Sequence, residues 1–485
     1  MNDAFRKALY VILISLALAV TFNFLFFEKM IGISVFIFNF ALLAVVWGFG
    51  LHQKLSFRKT GWLALPILFF ALMPAIRANE FLTFLNVCAT FGLLMLLAHG
   101  LAGTPAFLMR LRDYLILMVL VPFRMLARAL STVSLIGQIH SKVKHRDVWL
   151  RVLKGAIMAV PILIIFGVLF SQADLVFSQF IKGFVDITIS ERTMQYLVLL
   201  LFAFVGALSF LSYIFFQAYP KLASEKPDAI AQPGKGIEVM VFLGLISALF
   251  LTFIGFQITY LFGGEANIAG AGFTYAEYAR RGFWELLAVA ILSLLILFAS
   301  EKYAGVESKR NKRFLIPALI LIAEVGIVIV SAFKRLSLYI DAYSLTTDRF
   351  YAAGFIILLS ALFILLAVKF IGLKREEFFA FGALLSLAAF VMAANLVNPD
   401  KFIARSNMQQ YSRTGKVDSI YVGKLSADAE PWKIVLYEKL EGEDKEVLRE
   451  LLLEQKDNLQ KSSADWQSAN LSRARALKLL QEFGE

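Results

Sequence analysis

Runs of about twenty apolar residues recur along this chain from Leu9 to Leu396, and they restrict its folding more than any motif does. Lipid offers no water to bond exposed backbone, so these long runs must cross it as helices that close their own hydrogen bonds. Of the 485 residues, 59% are hydrophobic and 17% charged, whereas soluble domains keep roughly 25% charged. Phe occurs 47 times, which suits contact with lipid better than contact with water. The fold class expected is all-α: a polytopic membrane protein with about eleven transmembrane helices and a small soluble helical C-terminal domain.

Spanning helices are expected at 8–27, 31–50, 61–76, 81–99, 152–171, 195–219, 237–262, 283–300, 314–333, 350–371 and 378–397. The third carries Pro66 and Pro74, so a tilt, a kink or partial insertion is expected there. The apolar run after Arg6 and Lys7 continues to Phe27, too long for a cleaved signal segment. Residues 105–130 are apolar but carry Arg110, Arg112, Asp113, Arg124 and Arg128. An amphipathic helix on the cytoplasmic surface avoids burying those charges in lipid. With that choice, 24 Lys and Arg fall on the side of the N-terminus. Nine fall on the other side, matched by nine acids. By the positive-inside rule the N-terminus is cytoplasmic and the C-terminus extracytoplasmic. The net charge of +12 thus follows membrane topology, and nucleic acid is not expected as a partner.

Four regions follow. Residues 1–100 form an N-terminal four-helix membrane segment, and 101–151 a basic cytoplasmic loop with the surface helix. Residues 152–397 form a seven-helix core, and 398–485 a soluble helical tail. In the tail, Asn398-Pro399-Asp400 reads as an N-cap, a Pro at N1 and an acid in the first turn, with Gly415 as the stop. Further helices are expected at 429–440, 443–461 and 464–482, the last started by Ser462 or Ser463.

Few residues invite chemistry. Glu238 and Glu285 sit near helix starts, where the helix dipole favours a carboxylate. Glu324 lies mid-run, and an intramembrane acid must be protonated, paired or hydrated. It is the candidate intramembrane polar site, for proton or cation handling or for an interhelical hydrogen bond. Two outer loops concentrate Tyr260, Glu277, Arg280, Arg335, Asp341 and Arg349, a candidate pocket or docking platform for the tail. Thr346 or Thr347 is expected to cap the helix that follows. Phosphate-loop, dinucleotide, zinc-protease and paired-cysteine motifs do not occur, and the four histidines are scattered. No catalytic residue, metal or cofactor is called. The single cysteine, Cys88, is expected to be a small buried hydrophobe.

One run of residues is similar to a known family. Tyr260-Leu261-Phe262-Gly263-Gly264, then Tyr275-Ala276-Glu277-Tyr278-Ala279-Arg280, resembles bacterial membrane proteins bearing the domain of unknown function 4173, with the related domain 4153 second. Ser171–Phe177, Ser331–Arg335, Tyr343–Thr346, Asn398-Pro399-Asp400 and Leu425–Pro431 add to it, over roughly residues 150–440. Ser344 departs from the pattern, which expects glycine there. The resemblance implies a multi-pass bacterial membrane protein and brings no catalytic residue.

The reading favoured by these residues is a non-enzymatic scaffold or envelope-sensing component of the cell membrane. Its partners are the bilayer and a protein engaged by residues 398–485; the oligomeric state is left open. The alternatives are a small-solute or ion transporter using Glu324, and a membrane enzyme acting on a lipid-linked substrate.

Overall fold

The computed structural model describes residues 3–103, 105–137, 166, 170, 174, 191–216, 235–261, 283–304, 312–462 and 465–483, and among these the regular structure is helical throughout. The expected span at 152–171, apart from residues 166 and 170, and the outer-loop residues Glu277 and Arg280 lie outside the described residues. The helices are α1 (Asp3–Phe26), α2 (Ile33–His52), α3 (Ala64–Ile76), α4 (Glu80–Ala102), α5 (Leu111–Gly137) and α6 (Glu191–Phe215). They continue with α7 (Lys235–Leu261), α8 (Phe283–Ala304), α9 (Lys312–Tyr343), α10 (Thr347–Ile371) and α11 (Glu376–Val397). A cap follows, of α12 (Pro399–Thr414), α13 (Ser419–Gly423), α14 (Glu430–Lys439), α15 (Gly442–Ser462) and α16 (Leu471–Glu482). Among the described residues ten helices, α1, α2 and α4–α11, are long and apolar enough to cross a bilayer. The protein is a multi-pass membrane protein.

Each spanning helix buries one stripe and offers the rest to lipid. In α1, Ala8, Val11, Ser15, Leu18 and Ala19 are buried, while Leu13, Leu16, Val20 and Phe24 face outward; the three-to-four spacing is that of one helical face. Two apolar cores result. Residues of α1–α6 form the first, from Val11 through Leu97 to Phe215. Residues of α7–α10 form the second, from Leu243 through Leu321 to Phe363. Helix α11 joins them, placing Phe379 in the second and Val391 in the first. A third core lies within the cap, around Ile403, Leu436, Leu448 and Leu480.

Contacts sort the helix termini between two ends of the bundle. Phe24 of α1 meets Trp466 of the cap, Arg192 of α6 pairs with Glu28, and Thr347 of α10 meets Tyr421. At the opposite end Lys7 lies over the Phe216 ring, Phe49 packs on Phe215, and Trp62 packs on Phe381. Along α5, Arg110 Nε meets Glu377 Oε1 at 3.2 Å, and Arg128 Nε donates to the Phe216 carbonyl at 2.6 Å. Both partners belong to the end opposite the cap. Helix α5 buries Asp113, Leu117, Val121, Met125 and Ala129, one residue per turn, and exposes Leu115, Val119 and Phe123.

The structure corrects several expectations. The third apolar run becomes a 3-10 turn, Gly61–Leu63, and a 13-residue helix with Pro74 inside; it is apolar but too short to stand among the ten. Residues 334–343, expected as loop, continue α9 because no Gly or Pro interrupts them and the cap supports them: Gln410 Nε2 donates to the Asp341 carbonyl at 3.1 Å. The last cap helix starts at Leu471 rather than near residue 464, because Asn470 caps it by accepting from Arg473 N at 2.9 Å. Residues 465–470 instead tie the cap to α2, with Ile33 N donating to the Ala469 carbonyl at 3.0 Å. Gly32 is required there, since an added Cβ would fall 2.6 Å from the Ser468 backbone. Cys88 is exposed on α4 rather than buried.

Candidate functional site

Polar side chains concentrate where the cap meets the membrane helices. The chain between α3 and α4 supplies Arg77, Ala78 and Asn79, and the Asn79 side chain caps α4 by accepting from Leu82 N at 2.7 Å. At the other side of the junction, Asn398 adopts φ +60°, and Pro399 and Asp400 open α12. The segment Ser426–Ala429 makes a 3-10 turn that points Asp428 at the α3–α4 link.

Asp428 is the centre of this hub and is 4% exposed. Its Oδ2 accepts from Ala78 N at 2.6 Å and Asn79 N at 3.1 Å, and its Oδ1 accepts from Asn398 Nδ2 at 3.1 Å. Ser472 Oγ lies 2.6 Å from the same Oδ1 and 2.8 Å from the Ile76 carbonyl, and its one proton serves either. Asp400 Oδ2 accepts from Asn79 Nδ2 at 2.9 Å and from Ser426 N at 3.0 Å. Beneath them, the fully buried Asn86 and Asn395 exchange amide hydrogen bonds of 2.9 and 2.7 Å, joining α4 to α11. Arg77 Nε donates to the Asn395 carbonyl at 2.8 Å. Asn470 Nδ2 reaches the carbonyls of Pro74 and Arg77, at 2.8 and 2.7 Å, at the end of α3.

This arrangement ties the cap to the membrane helices. The Asp428 carboxylate is held by amide and hydroxyl donors on both oxygens, whereas Asp400 Oδ1 is buried without a hydrogen-bond partner. Among the described residues no three His, Cys, Asp or Glu side chains gather as a metal site. Deeper in the cap, Lys433 is fully buried, and the carbonyls of Gly423 and Leu425, Glu430 Oε1 and Gln455 Oε1 surround its Nζ at 2.6–2.9 Å, four acceptors sharing three protons. Burial pushes the Glu430 carboxyl above its ordinary range against the pull of Lys433, and pushes the Lys433 ammonium below its own range against the pull of Glu430.

The residues singled out by sequence are dispersed. Glu324 is 3% exposed on α9 and accepts from Ser247 Oγ of α7 at 2.7 Å. Toward the cap on the same helix pair, Gln257 Oε1 accepts from Ser331 Oγ at 2.8 Å and from Arg335 Nη2 at 3.1 Å. Arg335 is therefore buried in the bundle, not displayed in an outer loop. Arg349 lies 4.0 Å over the Tyr339 ring and donates to the carbonyls of Tyr343 and Ser344. It closes the turn in which Ser344 takes φ +69°, the conformation that explains why glycine is expected there. Asp341 is exposed, and its contact is through its backbone carbonyl. The Tyr260 side chain lies outside the described residues, as do Glu277 and Arg280, so of the six expected cluster members Arg335, Asp341 and Arg349 are described, and they do not converge. Thr346 occupies the cap position of α10 without a side-chain capping bond; Thr347 instead meets the Tyr421 hydroxyl.

Sequence reasoning passed over a second buried ion pair. Lys369 Nζ of α10 lies 2.5 Å from Glu301 Oε2 of α8, with the rings of Phe298, Phe370 and Phe379 at 5.3–6.0 Å. A lysine inside an apolar run is the signal that was available: it calls for an acid on a neighbouring helix.

The hub draws together Asn398-Pro399-Asp400 and Ser426–Glu430, two of the strings that carried the family resemblance. The profile of the family described as "Domain of unknown function (DUF4153)" matches residues 64–432, from the start of α3 to the first turn of α14. The chain belongs to this family. The relation to the 4173 domain is not shown, and the DUF4153 match begins well before residue 150, taking in α3, α4 and the α3–α4 link. No curated protein and no solved structure matches the chain.

Proposed function

We propose that this DUF4153 protein is a scaffold of the cell membrane that holds its cap rigidly on the extracytoplasmic face for a protein partner. The observation that carries the reading is the Asp428 hub: one buried carboxylate takes donors from the α3–α4 link, from the α11–α12 junction and from α16. A cap tethered through one flexible junction would need none of these. The orientation is supported by the sequence count of Lys and Arg, larger on the side of the N-terminus, together with the placement of Lys7 of α1 at the end opposite the cap. Arg110 and Arg128 support α5 as an in-plane helix at that end. They are separated by about 27 Å of helix at 1.5 Å per residue, yet both meet partners there. The partner face is the outer side of α15, where Glu443, Glu446, Glu450, Glu454 and Asp457 are exposed; it fits a basic protein surface. Transport through Glu324 is less well supported, since that carboxyl is buried against one neighbouring helix.

The test is a photo-crosslinking amino acid at Glu450 in native membranes, with and without Asp428→Ala. The substitution strips the acceptor from two buried amides, at roughly 1–3 kcal/mol each, and loosens the cap, which limited proteolysis reads directly. A discrete adduct in the parent that fades in Asp428→Ala supports the scaffold. No adduct, or the same adduct from a loosened cap, overturns it.

A further inference from the structure

The seam between cap and bundle contains a cavity of about 430 Å³, lined by Ile33 of α2, Ala75 of α3, Leu459 of α15 and Leu471, Ala474 and Leu477 of α16. That volume is within the roughly 300–1,000 Å³ of small-ligand sites. Aliphatic side chains make one wall, and Asp465, Trp466, Ser468, Asn470 and Arg473 also line the cavity. The polar groups already have partners: Asn470 donates to Pro74 O and Arg77 O and accepts from Arg473 N, Asp465 pairs with Lys29, and Arg473 donates to the Ile31 carbonyl. The part of a guest that lies against the aliphatic wall must therefore be apolar.

The surroundings say which apolar guest. Ile33 and Ala75 stand at the ends of membrane helices, so the cavity sits at the level where lipid gives way to water. Trp466 lines it, is 55% exposed and packs at 6.2 Å on Phe24, a lipid-facing residue of α1. The apolar surface of the bundle thus meets the seam through Phe24 and Trp466, with a tryptophan at the boundary depth that side chain favours. Charged groups mark the rim. Lys29 Nζ pairs with Asp465 Oδ1 at 2.6 Å, and Arg473 Nη2 donates to the Ile31 carbonyl at 2.8 Å, with the Glu80 and Asp428 carboxylates acting on its guanidinium. The two cations offer charge-assisted donors of the kind that hold a phosphate.

We propose that this seam binds a bilayer phospholipid, one acyl chain entering the cavity between α2, α3 and α16 and its phosphate resting against Arg473 and Lys29. The site goes beyond the scaffold reading and does not depend on it. The lipid fills the space left where a soluble cap meets membrane helices, and so couples cap position to the surrounding bilayer.

The experiment uses the full chain in phosphatidylglycerol vesicles carrying a trace phospholipid with a photoactivatable acyl chain. Crosslinked peptides are then mapped by mass spectrometry. Ala474 is exposed, so Ala474→Trp fills the cavity from a position that tolerates bulk, and an unchanged melting temperature confirms the fold. The expected result is labelling of the 465–477 segment that drops about tenfold in Ala474→Trp, the scale of losing roughly two buried methylenes. A photoactivatable diacylglycerol, which lacks phosphate, labels the segment more weakly. Labelling that Ala474→Trp leaves unchanged overturns the acyl site, and equal labelling by the diacylglycerol overturns the phosphate contact.

Discussion

The cap and the membrane bundle each bury a lysine with a glutamate, and they accommodate it differently. In the cap, Lys433 is surrounded by four oxygen acceptors, two of them backbone carbonyls from the α13–α14 connection. In the bundle, Lys369 has one carboxylate, Glu301, within a cage of three phenylalanine rings. Water-soluble packing can bring irregular backbone to an ammonium, because turns are permitted there. Spanning helices use most of their carbonyls internally, so away from the free carbonyls of a helix end a buried cation is met by another side chain and by ring faces. The same contrast separates the Asp428 hub, rich in backbone amides, from Glu324, which has a serine.

The largest expected effect breaks the cap's side of this comparison. Lys433→Met leaves Glu430 buried without its ammonium and costs roughly 3–5 kcal/mol of cap stability, read by thermal unfolding of the full chain; Glu430→Leu in addition recovers most of it. The single variant should also become pH-dependent. With the folded Glu430 carboxyl raised above its unfolded value, the unfolded state releases that proton first, so stability is greatest in acid and falls as pH rises from about 4.5 through the folded value. A flat pH profile would show that the carboxyl is not held in an apolar site.

A smaller loss is expected on the membrane side. Lys369→Met should cost about 1–2 kcal/mol in nanodiscs, because a chain unfolded within lipid still finds partners for Glu301. A loss as large as that of Lys433→Met would erase the distinction drawn between the two regions. The smallest effect is at Glu324→Gln, which keeps a hydrogen-bonding group toward Ser247. It should shift stability by less than about 1 kcal/mol and leave solute flux in proteoliposomes unchanged. Abolished flux would restore the transport reading.

Much of the fold was legible in the residues. The long apolar runs placed α1, α2, α4 and α7–α11 to within a few positions, except where α9 runs on to Tyr343, and Asn398, Pro399 and Gly415 bracketed α12 as expected. Local chemistry decides such features. The hub was not legible, because Asp428 meets Ala78 across 350 positions, and either end read alone has an ordinary capping or turn role. Arg335 and Arg349 were read together because they are near in sequence, yet one is buried beside Gln257 and the other lies over Tyr339. Helical geometry turned them apart.

What the chain determined alone is its class, since transfer into lipid acts on each segment by itself and is nearly additive along the run. Which polar groups meet was left to the tertiary structure: a hydrogen bond needs its partner within about 3 Å in one direction, and packing alone sets that across distant segments. The cap's lock on the α3–α4 link, the two buried lysines and the lipid-sized seam beneath α16 all belong to that second kind.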